Sequence, residues 1–462
     1  MNRGNINKKW WKTALIIVGV LSVILVATNC SQPTAETPPL EPTSPVTPSP
    51  PPSASTVPDP ATLELSQVKV AALYENVTLG GGSNIEAIID MLRETKTDYV
   101  RGFFKSGPTP MECQQYQQLS GFQPSTMNIC EAGGSSWGIL QRAISEIKRE
   151  LPNMLFCGAI VPTELGRMPG GTENVQKVEF NPKTGEVIEG ADLWEMAADP
   201  GKWGINVSKE QFQYDEAQAK HWIPTDLDFE LYDWQKAQAI FPDITNAHYQ
   251  ELFLSWAQQM IDCGVDVIWF DVPFWQVRLL TKTKIIEDDH PAVKEICEAV
   301  SKIVDEIREY GQREGKRIYV GSWPASLHLE ADFPTPDWDF ITMSPWSSEV
   351  EEMKLDQARW DQELTAVRKR YGDVPILVHI DWAQLPIFSQ KFNIEEQREF
   401  LKIADDFFYR NGVIFIYPIR GGWLTTNATK LSYGKSPIYD SKAPEFQTYD
   451  TIKQLALSKR QR

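Results

Sequence analysis

The residues of this chain that could do chemistry are acids placed at the ends of apolar runs. Asp271 closes "VDVIWFD", and a carboxylate at the tip of a buried strand is costly unless it is paired, hydrogen-bonded or used. Other acids stand in the same relation to other apolar runs: Glu75 after "VKVAALY", Glu164 after "MLFCGAIVP", Glu330 in the segment after "RIYVGSW", Glu349 after "WDFITMSPW", and Asp381 within "PILVHIDW". Basic and aromatic side chains accompany them: Arg101 in "DYVRGFF", Trp275 just past Asp271, Trp323, His328, Trp346, Trp382, and Tyr417 and Arg420 at the end of "GVIFIYPI". Two carboxyl groups astride a glycosidic bond suffice for its hydrolysis, one protonated to assist the leaving oxygen and one ionised to attack the sugar or activate water. Flat aromatic faces with a polar edge stack on sugar rings.

Asp271 suits the ionised role, because the strand before it fixes its position and a nearby Arg or Lys would hold it charged. The plain structural alternative is a helix N-cap, or a carboxylate paired with Arg101. A proton donor needs a site where desolvation or another acid raises its pKa. Glu330, beside His328, is the first choice. Glu349 is the second, although an acid in the first turn of a helix also simply favours the helix dipole. Asp381 would stabilise the charged transition state or bind sugar hydroxyls, with Trp382 as a platform, or else bond loop amides at a strand end. The expected substrate-binding set is Glu75, Arg101, Glu164, Trp275, Trp323, His328, Trp346, Trp382, Tyr417 and Arg420.

These residues need a scaffold that brings strand ends together. From residue 66 onward short apolar runs alternate with helical-period segments, the pattern of successive βα units. Eight strands are expected, over Val68–Tyr74, Asp98–Phe104, Met154–Pro162, Val265–Asp271, Arg317–Trp323, Trp338–Trp346, Pro375–Trp382 and Gly412–Ile419. Helices are expected over Asn84–Thr95, Trp137–Leu151, Asn246–Cys263, Pro291–Glu314, Ser348–Arg370 and Ile394–Arg410. This predicts an α/β fold, a (β/α)8 TIM barrel, whose active sites lie where strand ends meet the following loops. The open doubly wound sheet is the rival, but "LGGGSN" after the first strand lacks the dinucleotide spacing. Residues 163–245 are too many for a bare connection and predict an inserted subdomain over the barrel mouth. Within it "VEFNPKTGEVIEG" reads as a hairpin, and Trp194, Trp203, Trp222 and Trp234 read either as a sugar-facing lid or as the subdomain's small core.

A formal net charge of -17, with no Lys/Arg cluster away from the termini, argues against nucleic acid and predicts a neutral or cationic substrate. His221, His248, His290, His328 and His379 show no HxH or HExxH pairing and CxxC is absent, which disfavours a metal-dependent hydrolase or deacetylase; no cofactor is expected. Cys113 and Cys130 suit a loop-closing bridge in an exported protein, while Cys157, Cys263 and Cys297 read as buried thiols.

Residues 1–30 read as a targeting segment: Lys8, Lys9 and Lys12 precede the apolar "TALIIVGVLSVILVAT". Cys30, in "VATNCSQ", resembles the lipidated Cys of a bacterial lipoprotein signal, with Asn29 where that signal wants a small residue; an uncleaved anchor or simple cleavage are the alternatives. Residues 31–60, rich in Pro, Ser and Thr, form an extended spacer, leaving 61–462 for the barrel. The expectation is an exported protein held at the cell envelope by its N-terminal lipid or anchor.

The stretch "FPDITNAHYQELFLSWAQQMIDCGVDVIWFDV", residues 241–272, resembles the "PDITN…GVD-x-I-WFD" arrangement of TIM-barrel glycoside hydrolases, including the broad alpha-galactosidase- and alpha-glucosidase-like group. The resemblance implies that Asp271 is the catalytic nucleophile. The alpha-galactosidase-like pattern would add an acid/base Asp at the end of strand six, where this chain has "MSPWSSE" and offers only Glu349. The amylase-like pattern, with acids after strands four, five and seven, falls on Asp271, Glu330 and Asp381. The function implied is an envelope-tethered glycoside hydrolase acting on an oligo- or polysaccharide. The alternative, from a different class, is a catalytically silent carbohydrate-binding barrel.

Overall fold

The computed structural model describes residues 63–75, 85–105, 137–166, 179–183, 187–188, 190–237, 239–282, 285–323, 335–381, 383–423 and 438–461. The expectations for residues 1–62, Cys113, Cys130, His328, Glu330 and Trp382 lie outside the described residues.

Eight parallel strands form a closed barrel: β1 (Ala71–Tyr74), β2 (Tyr99–Lys105), β3 (Leu155–Ile160), β4 (Val267–Phe270), β5 (Tyr319–Ser322), β6 (Phe340–Met343), β7 (Ile376–Val378) and β8 (Ile414–Trp423), with β8 pairing back onto β1. Successive side chains on a strand alternate between faces. Leu73, Tyr99, Leu155, Cys157, Val267, Trp269, Phe340, Leu377 and Ile416 accordingly fill the interior as one apolar cluster, and the opposite parity packs against the helices as a second, larger one. Asp271 is two residues past Trp269, and Asp381 is four past Leu377. Both therefore fall on the inward parity at the end where the βα loops begin.

Five of the six expected helices form with their apolar faces on the sheet: Ile85–Glu94, Trp137–Glu150, Ala247–Asp262, Pro291–Arg313 and Ile394–Arg410. The segment expected as one helix over Ser348–Arg370 is two, Ser347–Glu351 and Gln357–Tyr371. Met353 turns the chain with a φ of 51°, and the Asp356 side chain accepts from the backbone N–H groups of Ala358 and Arg359 to start the second helix. β8 runs on past its expected end, and Ile438–Asp440 pairs antiparallel to the extension.

The excursion between β3 and Ala247–Asp262 carries helices Gly190–Met196 and Lys209–Ala219, a ribbon pairing Leu165–Gly166 with Ala239–Ile240, and the hairpin expected from sequence, Glu179–Phe180 against Val187–Ile188. Its Trp residues make contacts within it and to the barrel's helices. Trp222 is buried, Trp194 stacks on Trp234 at 4.7 Å, and the Trp203 indole N–H donates to Glu295 of Pro291–Arg313 at 2.7 Å. Asp243 of the "PDITN" stretch ties the excursion down, accepting from Lys202 Nζ at 2.5 Å and Gln276 Nε2 at 3.1 Å, while Asn246 caps the next helix. Cys157, Cys263 and Cys297 are buried free thiols, as expected.

Candidate active site

The end of β4 is a sharp bend. Asp271 N–H donates to Ile160 O at 3.0 Å, continuing the β3 pairing by one residue. Val272 then takes a φ of 51°, a left-handed conformation that a β-branched residue adopts only under strain, costing about 1–3 kcal/mol. Trp275 N–H donates to the Val272 carbonyl, and a short helix, Trp275–Lys282, follows. Among the described residues the Asp271 carboxyl neither caps a helix nor forms an ion pair. Its pKa is raised to about 7, by burial first and then by the charge on Asp381, with Arg101 and Lys220 pulling it down without prevailing. The expectation that basic neighbours keep Asp271 firmly ionised is thus corrected: desolvation outweighs them.

Below the acids lies Trp269, whose indole N–H donates to Thr342 Oγ1 at 2.8 Å. The Arg101 guanidinium lies over this ring at 4.0 Å, and the His379 ring meets it edge-on at 5.9 Å. His379 Nε2 is 3.4 Å from Arg101 Nη1 and 3.4 Å from Asp381 Oδ1, which links β2 to the end of β7. Burial holds His379 below its ordinary pKa, and Arg101 lowers it further against the pull of Asp381. Arg101 is itself buried, and its Nε and Nη2 have no hydrogen-bond partner.

The excursion adds a cation. Lys220, just past Lys209–Ala219, is buried with its Nζ 3.1 Å from Thr163 Oγ1. Burial lowers its pKa, while Glu216, Glu164 and Asp271 support its charge. Glu216 is buried too and is pushed up to about 7, with Lys220 and the Trp275 indole opposing. Of the predicted set, Asp271, Asp381, Arg101, Glu164 and Trp275 therefore stand in one electrostatic neighbourhood. Trp323 packs on the interior cluster. Glu75 and Arg420 meet at the β1–β8 seam, where Glu75 N–H donates to Arg420 O at 2.8 Å and Arg420 Nε lies 3.7 Å from Asp440 Oδ2.

Three predicted residues lie elsewhere. Glu349 is buried and clamped: Arg359 Nη2 and Nε meet its two oxygens at 2.5 and 3.2 Å, and the backbone N–H groups of Trp346 and Asp356 donate to it at 2.8 Å each. With all its acceptors engaged it is a structural anion, not a proton donor. Tyr417 faces outward from β8 and donates to Asp405 Oδ1 at 2.5 Å, with Lys459 2.9 Å from the same oxygen. Trp346 is exposed, and the Arg359 guanidinium sits 4.7 Å from its ring. Sequence reasoning missed Lys220, Glu216 and His379. Only His379 had a signal, standing two residues before Asp381 on the same strand face.

No family model and no curated protein matches the sequence. Solved structures that resemble the fold include Eubacterium rectale Amy13B (11% identity, TM-score 0.48, covering 85% of this chain and 79% of that one). An alpha-amylase from Geobacillus thermoleovorans complexed with acarbose is 12% identical at TM-score 0.43, covering 85% and 79%. The gamma-CGTase of alkalophilic Bacillus clarkii is 11% identical at TM-score 0.44, covering 86% of this chain, which spans 57% of that protein's length. At these values the likeness is one of general outline, and the chemistry has to come from the site's own residues.

Proposed function

We propose that this protein is a glycoside hydrolase acting on an oligo- or polysaccharide, with Asp271 and Asp381 as its carboxyl pair. One observation carries the reading: two acids project from β4 and β7 into the same mouth, and the charge on Asp381 helps to keep Asp271 protonated near neutrality. That asymmetry assigns roles opposite to the one the sequence suggests for Asp271. Asp271 donates a proton to the leaving oxygen, and Asp381, held beside His379, stays ionised to attack the sugar carbon or activate a water. The N-terminal apolar segment and the Pro-rich spacer support an enzyme tethered at the cell envelope.

The test is sugar release from α- and β-linked polysaccharides by the wild type, Asp271→Asn and Asp381→Asn, repeated on dinitrophenyl glycosides, whose leaving group needs no proton. Asp271→Asn should lose about 10²–10⁴-fold on polysaccharide yet keep most activity on the activated substrates; Asp381→Asn should lose both. Wild-type activity on polysaccharide should fall as pH rises through about 7, where Asp271 loses its proton, and this limb should be absent with the activated substrates. Sugar binding without cleavage by the wild type would instead mark a binding barrel.

A further inference from the structure

We infer that the sugar bound at this site carries a carboxylate, received by the free edge of Arg101 with Lys220 as a second cation. This deepens the hydrolase reading and rests on it for the location of the site.

Arg101 sits within the barrel layer just below the two acids, its guanidinium carbon 4.0 Å from the centre of the Trp269 ring. Its Nη1 faces His379, while Nε and Nη2 have no partner. Those two N–H groups form one edge of the planar fork, the edge that matches the two oxygens of a carboxylate. Among the described residues Arg101 forms no ion pair. Asp381 approaches His379 instead, and Asp271 interacts with Arg101 only at longer range. A buried guanidinium with no bonded anion is expensive. The same chain shows what a buried Arg does when its partner is internal: Arg359 is closed by Glu349 in a two-point clamp.

Lys220 enters from the excursion, its ammonium bonded to Thr163 and within electrostatic reach of Asp271. Two buried cations in this neighbourhood run against the overall charge of -17, from which a neutral or cationic substrate is expected. Local charge, not net charge, decides what a desolvated site accepts. Sugar hydroxyls could satisfy individual N–H groups but would leave the guanidinium without a counter-charge. A uronic acid supplies both the acceptors and the charge. A sulfate ester can also present two oxygens to the fork, so a sulfated probe separates the two anions.

The experiment is calorimetric titration of the full chain carrying Asp271→Asn, which mimics the protonated acid. The probes are oligogalacturonate, oligoglucuronate and oligomannuronate, the methyl esters of all three, a sulfated oligosaccharide and a malto-oligosaccharide of equal length. At least one free acid should bind tenfold or more tighter than its own ester and than the malto-oligosaccharide. Arg101→Lys, which keeps the charge but not the fork, should shrink that acid-to-ester ratio at least fivefold, and Lys220→Met should shrink it as well. Should Lys220→Met not fold, Arg101→Lys alone decides. An equal or tighter grip on the neutral or sulfated probe, no binding of any free acid, or an unchanged ratio in Arg101→Lys overturns the inference and leaves Arg101 as a counter-charge to Asp271. Cleavage of neutral glycans without acid preference would sink this inference alone; acid preference without cleavage of any uronate would sink the hydrolase reading alone.

Discussion

Asp271 and Glu349 both lie beyond the end of a barrel strand and both read from sequence as catalytic acids, yet the fold treats them oppositely. Glu349 is met by four donors from Arg359 and two backbone amides. Asp271 is set on a strained bend, among buried cations that lie near it without bonding it. A carboxylate with every acceptor filled is worth most to the native state as an anion and has nothing left for a substrate. One that is desolvated and unfilled destabilises the fold and is ready to hold a proton. The difference lies in the partners and not in the residue type or its distance from a strand.

The comparison can be broken first at the clamp. Glu349→Gln should cost about 3 kcal/mol in urea denaturation, because it breaks the two-point clamp on the buried Arg359 and leaves that charge only Glu363, 2.8 Å from Nη1, while activity per folded molecule stays unchanged. A loss of activity without loss of stability would return Glu349 to the site.

Asp271→Asn should do the reverse and stabilise the protein, with a pH signature. A buried acid whose native pKa is raised from 3.8 to about 7 keeps its proton when the unfolded chain has released it, so native stability falls between about pH 4 and pH 7 and levels off above. The full shift corresponds to about 4 kcal/mol. Asp271 remains partly solvent-accessible, so the gain of the variant above pH 7 should be about 2–3 kcal/mol, vanishing below pH 4. A gain that is constant with pH would show that the native acid is not raised.

The smallest effect sharpens the placement of Tyr417. Tyr417→Phe removes a buried bond to Asp405 and should cost about 1–3 kcal/mol by thermal or urea denaturation with no change in activity or sugar binding. An altered substrate affinity would put that ring back among the sugar contacts.

Tyr417 also shows how far the sequence could be read. The apolar run ends at Ile419 and so puts Tyr417 near a strand end; the strand runs to Trp423, which leaves Tyr417 in its middle on the outward parity, between inward Ile416 and the helix Ile394–Arg410. The break between Ser347–Glu351 and Gln357–Tyr371 leaves little trace in the sequence, because apolar spacing continues across it and only Asp356, as an N-cap, marks the restart. The remaining strands were legible because each is a short apolar, β-branched run followed by a turn, a local signal.

By itself the sequence determined the closed eight-stranded barrel and the placing of Asp271 and Asp381 at the tips of inward faces, because strand period and chain order are properties of neighbouring residues. Only the tertiary structure decided which acid is clamped and which is left unfilled. That depends on burial and on partners far apart in the chain: Arg101 meets His379 across 278 positions, and Lys220 reaches the mouth from an excursion whose own pattern gives no hint of it. Charge states follow desolvation and distance, which no local period encodes.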